Sequence, residues 1–166
     1  MLLGLHIAAG SLGLLLGPLV IWRGTRRVRA GERGLGVEGA VYNVAVLAVC
    51  VSAIALVVRQ RPDLGWLIAV AAVSYALVVM AQVVVAQRFA GWSHAFVHGL
   101  GGSYIALVTA LVVVALTLDG PLKTGAVQVI PWVAPAAIGT PLILWWRRRF
   151  IEDEQRGPRR VAAGRA

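Results

Sequence analysis

Polar and charged residues fall in short bursts along this chain, and between them lie apolar runs of around 20 residues. A helix of that length crosses a hydrocarbon core of about 30 Å. The pattern predicts such helices over about 2–22, 37–58, 66–86, 95–118 and 129–146. The expected fold is therefore all-α, a polytopic transmembrane bundle of five spans filling 1–149, with a basic cytoplasmic tail at 150–166. The opening MLLGLHIAAGSLGLLLGPLVIW has no positive segment ahead of its apolar run and continues too long for an ordinary cleavable signal, so it reads as a retained first span. Span five contains Pro131, Pro135 and Pro141, which a membrane helix accommodates with a kink.

Composition agrees. The chain is 59% hydrophobic and 14% charged, against roughly 45–50% and about 25% in a soluble domain. A net charge of +9 would suggest nucleic acid in a soluble protein. Here the arginines lie between and after the apolar runs, where they set orientation, so no nucleic-acid partner is expected. With alternating spans, Arg59, Arg61 and Lys123 fall on one side and all the other basic residues on the opposite side. That bias predicts an N-out, C-in, multi-pass protein whose first partner is the lipid bilayer, with a homo-oligomer or another membrane protein as a second. Arginine in place of lysine, with abundant Ala, Val, Gly and Leu, suits a GC-rich bacterial genome and hence a bacterial inner membrane.

The densest polar stretch runs from Trp92 to Thr109 and holds His94, His98, Gly99, Gly101, Gly102, Ser103 and Tyr104. His94 and His98 share one helical face by their spacing. In the N-out arrangement Glu38, Tyr42, Gln82, His94 and His98 all fall toward the cytoplasmic side and form the candidate polar site. Glu38 either suits the dipole in the first turn of span two or turns inward onto a histidine of span four. Gln82 and Tyr75 read first as interhelical hydrogen bonders. His6, near the outer surface, is a second candidate, either bonded to a neighbouring helix or serving a ligand or proton. Gly10, Gly13 and Gly17 share its stripe, and Gly99, Gly101 and Gly102 open span four. These helix-packing glycines permit close approach, for instance of the span-one stripe to span four.

Reactive motifs are sparse. Gly34-Leu-Gly-Val-Glu-Gly39 fits GxGxxG as a string, but the dinucleotide fingerprint needs a preceding strand. HExxH is absent, and Ser93 and Ser103 lack a G-x-S-x-G context. Cys50, the single cysteine, excludes an internal disulfide and reads as a packing residue. No catalytic, cofactor-binding or metal-ligating residue is assigned, and the expected role is a small non-enzymatic transport, sensing or membrane-complex component. One alternative is a membrane redox protein holding a single-histidine haem or a divalent metal at His94 or His98. His6 lies more than about 10 Å away in depth from His98, at the helical rise per residue, which disfavours a bis-histidine haem. The other alternative is an accessory subunit docking through the glycine-lined faces.

Leu5-His-Ile-Ala-Ala-Gly-Ser-Leu-Gly-Leu-Leu-Leu-Gly-Pro18, the basic loop after it, Gly39-Ala-Val-Tyr42, His98 with Gly102-Ser-Tyr-Ile-Ala-Leu-Val-Thr109, and Ile138-Gly-Thr-Pro-Leu-Ile143 together resemble small bacterial integral membrane proteins related to the domain of unknown function 2306 family. The likeness covers most of the chain up to the arginine triplet. It departs at Val37-Glu38, where the family often has a His-Arg pair. The resemblance implies a multi-helix membrane protein and carries no assigned reaction.

Overall fold

The computed structural model describes residues 1–118 and 126–163, and the side chains of 1–116 and 127–150. Lys123 and the rest of the expected loop at 119–125 lie outside the described residues, as do 164–166. The described residues form α1 (Leu2–Arg29), α2 (Gly36–Gln60), α3 (Leu67–Gln87), α4 (Trp92–Val113) and α5 (Ile130–Ala163), with no strand among them. A π-helical turn, Val114–Leu118, extends α4. Each of the five helices is long and apolar enough to cross a membrane.

The helix ends differ from the expected spans for local reasons. α1 runs past Trp22 through the arginines to Arg29, because arginine is a good helix former and Arg26, Arg27 and Arg29 suit the negative end of the helix dipole. α4 begins at Trp92, earlier than the expected 95, because Gly91 takes φ +80° and turns the chain directly into the helix. α5 continues as helix beyond Arg147–Arg149, so the segment from 150 begins as a helical extension of the fifth span.

α1, α2, α3 and α4 pack in a closed ring, each against the next and α4 back against α1. α5 lies outside the ring against α4. Successive helices alternate in direction. The ends of α1, α3 and α5 therefore meet the starts of α2 and α4 at an arginine-rich end, while Trp66 and Trp132 touch at the far end, 5.0 Å between centroids. Most of the deeply buried side chains lie near the arginines, among them Val20 and Val28, Tyr42 and Val46, Val84 and Val85, Phe96, Val97 and Leu100, and Phe150, with Val78 mid-helix and Pro131 near the far end. Outward faces are apolar, with Leu3, Ile7, Val44, Val51, Val73 and Leu142 all exposed, the surface a bilayer would cover. Only 22% of the apolar window of α1 and 17% of that of α5 are buried, against 39% for α2, so the two helices on either side of α4's outer face have the most uncovered surface.

Candidate functional site

The residues expected to form one polar site are found in separate places. Glu38 turns toward α1, where its Oε1 accepts a hydrogen bond from Arg23 Nη1 at 2.6 Å and its Oε2 lies 3.7 Å from Arg27 Nη2. Arg27 Nη1 also donates to Glu32 Oε2 at 3.1 Å. Gly36, at φ +74°, lets the Arg27 guanidinium pass, since a Cβ there would come within 2.9 Å of Arg27 Nε. Glu38 therefore does not turn inward onto a span-four histidine. The extended α1 brings arginines alongside it, and a carboxylate buried with only an imidazole for company would lose more solvation than it regained.

Tyr42 is fully buried and donates to Ser103 Oγ at 3.1 Å, because the single Ser103 proton goes to the Leu100 carbonyl at 2.8 Å. Gln82 accepts from Asn43 Nδ2 at 3.0 Å and donates to the Gly39 carbonyl at 3.2 Å, tying α3 to α2. His94 and His98 lie exposed on the outward face of α4, apart from both pairs. Among the described residues no three His, Cys, Asp or Glu side chains lie close enough to hold a metal ion, so a divalent site built from this histidine pair and Glu38 does not fit the arrangement. At the far end, Ser52 Oγ gives its proton to the Ala48 carbonyl at 2.6 Å. His6 Nδ1 therefore donates to Ser52 Oγ at 2.9 Å, linking α1 to α2.

The glycines are filled from within the chain. Gly13 receives Leu107 and Gly17 the ring of Tyr104, both from α4. Gly99 and Gly102 face Leu77 of α3, Gly101 faces Ile143 of α5, and Gly10 has Val49 of α2 at 3.8 Å from its Cβ position. The stripes of the first and fourth helices thus do not meet glycine to glycine, because each takes a large side chain from its neighbour. That occupancy leaves these faces little room for a second protein.

One feature was not expected. α1 and α5 both pack against α4, and between them lies an apolar groove of about 950 Å³ with α4 as its floor. Ile21 and Trp22 of α1, Ile105 and Val108 of α4, and Ile138 and Leu142 of α5 form much of its surface. At the arginine-rich end it is bordered by Arg26, Arg29 and Arg149. Arg26 lies over the Trp22 ring and Arg149 over the Trp145 ring, each 5.3 Å from the centroid. Arg29 Nη2 donates to the Arg149 carbonyl at 3.4 Å, drawing α1 and α5 together there. The chain matches no protein-family model, no curated protein and no solved structure.

The arginines at the end of α1 divide between two faces, with Arg26 bordering both. Arg23 and Arg27, four apart, turn to α2 and meet Glu38 and Glu32, whereas Trp22, Thr25, Arg26 and Arg29 form an i, i+3, i+4, i+7 stripe on the groove. That stripe, and Trp145 with Arg149 at i, i+4, were the sequence signals for the groove. They look like ordinary interfacial anchors until the packing order of the helices is known. Chemically the groove offers apolar walls, cationic donors and hydroxyls at Thr25 and Tyr104. Thr25 donates back to the Ile21 carbonyl at 2.5 Å, and among the described lining residues there is no carboxylate, histidine or cysteine to activate either hydroxyl.

Proposed function

We propose that this is a multi-pass bacterial inner-membrane protein, N-terminus outside and C-terminus inside, that works without catalysing a reaction. It acts as a membrane-complex component by holding an occupant drawn sideways from the bilayer into the groove between α1, α4 and α5. The observation that carries this reading is the groove itself, an apolar slot with a cationic rim left beside a closed four-helix ring. Transport through the ring receives less support, because Tyr42–Ser103 and Asn43–Gln82 at one level and His6–Ser52 at another are cross-helix ties that already occupy these polar groups. The resemblance to the domain of unknown function 2306 family, which has no assigned reaction, is in keeping with this proposal.

Two measurements test it. In a Cys50→Ser background, a single cysteine at position 33 should be protected from an impermeant thiol reagent in intact cells while one at position 63 is labelled; the reverse pattern would invert the topology. For the groove, protein purified in mild detergent should carry phospholipid that is lost when Val108→Trp fills the floor or Ile138→Trp fills the wall. Equal lipid retention by wild type and by both variants, each shown to be folded, would overturn the reading.

A further inference from the structure

The walls of the groove differ in length, and those lengths indicate what fits it. Its lining runs from Gly101 to Val112 on α4 and from Ala134 to Arg149 on α5, but only from Ile21 to Arg29 on α1. At about 1.5 Å per residue these walls are roughly 17, 22 and 12 Å long. A single leaflet with its headgroup is about 20–22 Å thick, whereas a membrane-crossing helix needs about 30 Å of wall. The α5 wall therefore matches one leaflet, the α4 floor covers most of that length, and α1 walls only its arginine-side half, well short of the length of a membrane-crossing helix.

Charge at the rim narrows the choice. On the α2 face of α1 the arginines are neutralised by Glu38 and Glu32, but Arg26 and Arg149 make no ion pair with a described residue. Both lean on tryptophan rings at the level where chain meets headgroup. Arg29 also borders this rim, with its guanidinium engaged by the Arg149 carbonyl and the Phe150 ring. A zwitterionic headgroup would bring an ammonium to these guanidiniums, whereas an anionic one brings only a phosphate that they can clasp by fork-shaped hydrogen bonding.

We propose that the groove between α1, α4 and α5 binds one anionic phospholipid from the leaflet on the arginine side, with its phosphate held by Arg26 and Arg149 and its acyl chains along Val108, Ile138 and Leu142. This rests on the groove reading above and names its occupant. Basic recesses between membrane helices recognise anionic headgroups in this manner. The hydrogen bond from Arg29 to the Arg149 carbonyl closes the polar end of the groove, so a lipid enters from the side.

The test uses the full-length protein in mild detergent, titrated with phosphatidylglycerol or with phosphatidylcholine of the same acyl chains and read by native mass spectrometry. Tryptophan quenching by the brominated-chain form of each lipid provides a second reading on the unaltered protein. Wild type should prefer phosphatidylglycerol by about 30-fold, an expected order of magnitude at about fivefold for each of two arginines. Arg26→Gln with Arg149→Gln should remove about 30-fold of that preference on the same basis, and Arg33→Gln, in the exposed loop, should leave it unchanged. Equal binding of the two lipids by wild type, with both lost on Val108→Trp, would overturn the anionic assignment and leave the groove reading standing. Binding that survives Val108→Trp and Ile138→Trp would overturn both. A preference that falls as much with Arg33→Gln as with the groove arginines would also reject the site, since it would report only the general surface potential.

Discussion

Replacing Gly99 by valine should destabilise the bundle by about 3 kcal/mol, the upper part of the range for overpacking a close-packed interior. The reason is what the new side chain would meet. A Cβ on Gly99 would lie 2.7 Å from the Leu77 carbonyl oxygen and 3.1 Å from the Ala81 backbone nitrogen, both backbone atoms of α3. Neither can rotate aside, so α3 and α4 must separate, and close packing is the main attraction between helices in lipid. Gly17 provides the contrast. A Cβ there would collide with the Tyr104 ring, a side chain that can swing into the groove beside it. Gly17→Ala should therefore cost less, about 1–2 kcal/mol, and should couple to Tyr104→Ala by about 1 kcal/mol or more in a double-mutant cycle. Reversible unfolding in detergent would measure these values. Equal losses for Gly99→Val and Gly17→Ala, with no coupling to Tyr104, would refute the stated contacts.

Arg88→Ala should be about as damaging, near 3 kcal/mol, from two charge-assisted hydrogen bonds and one cation–π contact. Arg88 Nη2 donates to the Val28 carbonyl at 3.0 Å and to the Glu32 carbonyl at 2.8 Å, and its guanidinium lies 4.7 Å from the Trp92 ring centroid. One side chain thus satisfies carbonyls at and beyond the end of α1 while holding the α3–α4 corner against them. Its backbone sits at φ 48°, ψ 43°, the left-handed conformation that costs an L-residue roughly 1–2 kcal/mol. Arg88→Gly removes the same contacts but relieves that strain, so it should be milder than Arg88→Ala by about 1 kcal/mol. That order reverses the usual ranking of glycine and alanine. Finding alanine the milder replacement would show that the corner adopts another conformation.

The number of helices was legible because apolar run length depends on the solvent a segment must cross, and that is written residue by residue. The sites of close approach were partly legible: Gly13, Gly17, Gly99, Gly101 and Gly102 stood out as positions able to admit a neighbour. Which neighbour was not, since a glycine carries no mark distinguishing another glycine from Tyr104 or Ile143. The partners of the candidate polar residues were not legible for a related reason. Glu38, Tyr42, Gln82, His94 and His98 share a depth, but depth fixes only one coordinate. The rotation of each helix about its axis separates them, leaving Glu38 with Arg23, Tyr42 with Ser103, Gln82 with Asn43 and the histidines outside. In α2, exposed Val41 and Val44 are as apolar as buried Val46 and Val49, so the pattern carries little information about rotation. The groove lay beyond sequence reasoning because its walls come from α1, α4 and α5, whose packing order the apolar pattern does not give.

The concentration of buried side chains at the arginine-rich end has a mechanical consequence. Tyr42, Phe96, Phe150 and their valine neighbours clamp the helices there, while Leu3, Leu5, Val58 and Trp66 near the other end are largely uncovered. When the host bilayer thickens or thins, helices adjust their tilt at a cost of fractions of a kcal/mol per Å of mismatch. Placed in a bilayer, the molecule should take up such adjustment at the less covered end. The rim of arginines and tryptophans should then keep its level against its own leaflet while the opposite surface of the membrane rises or falls.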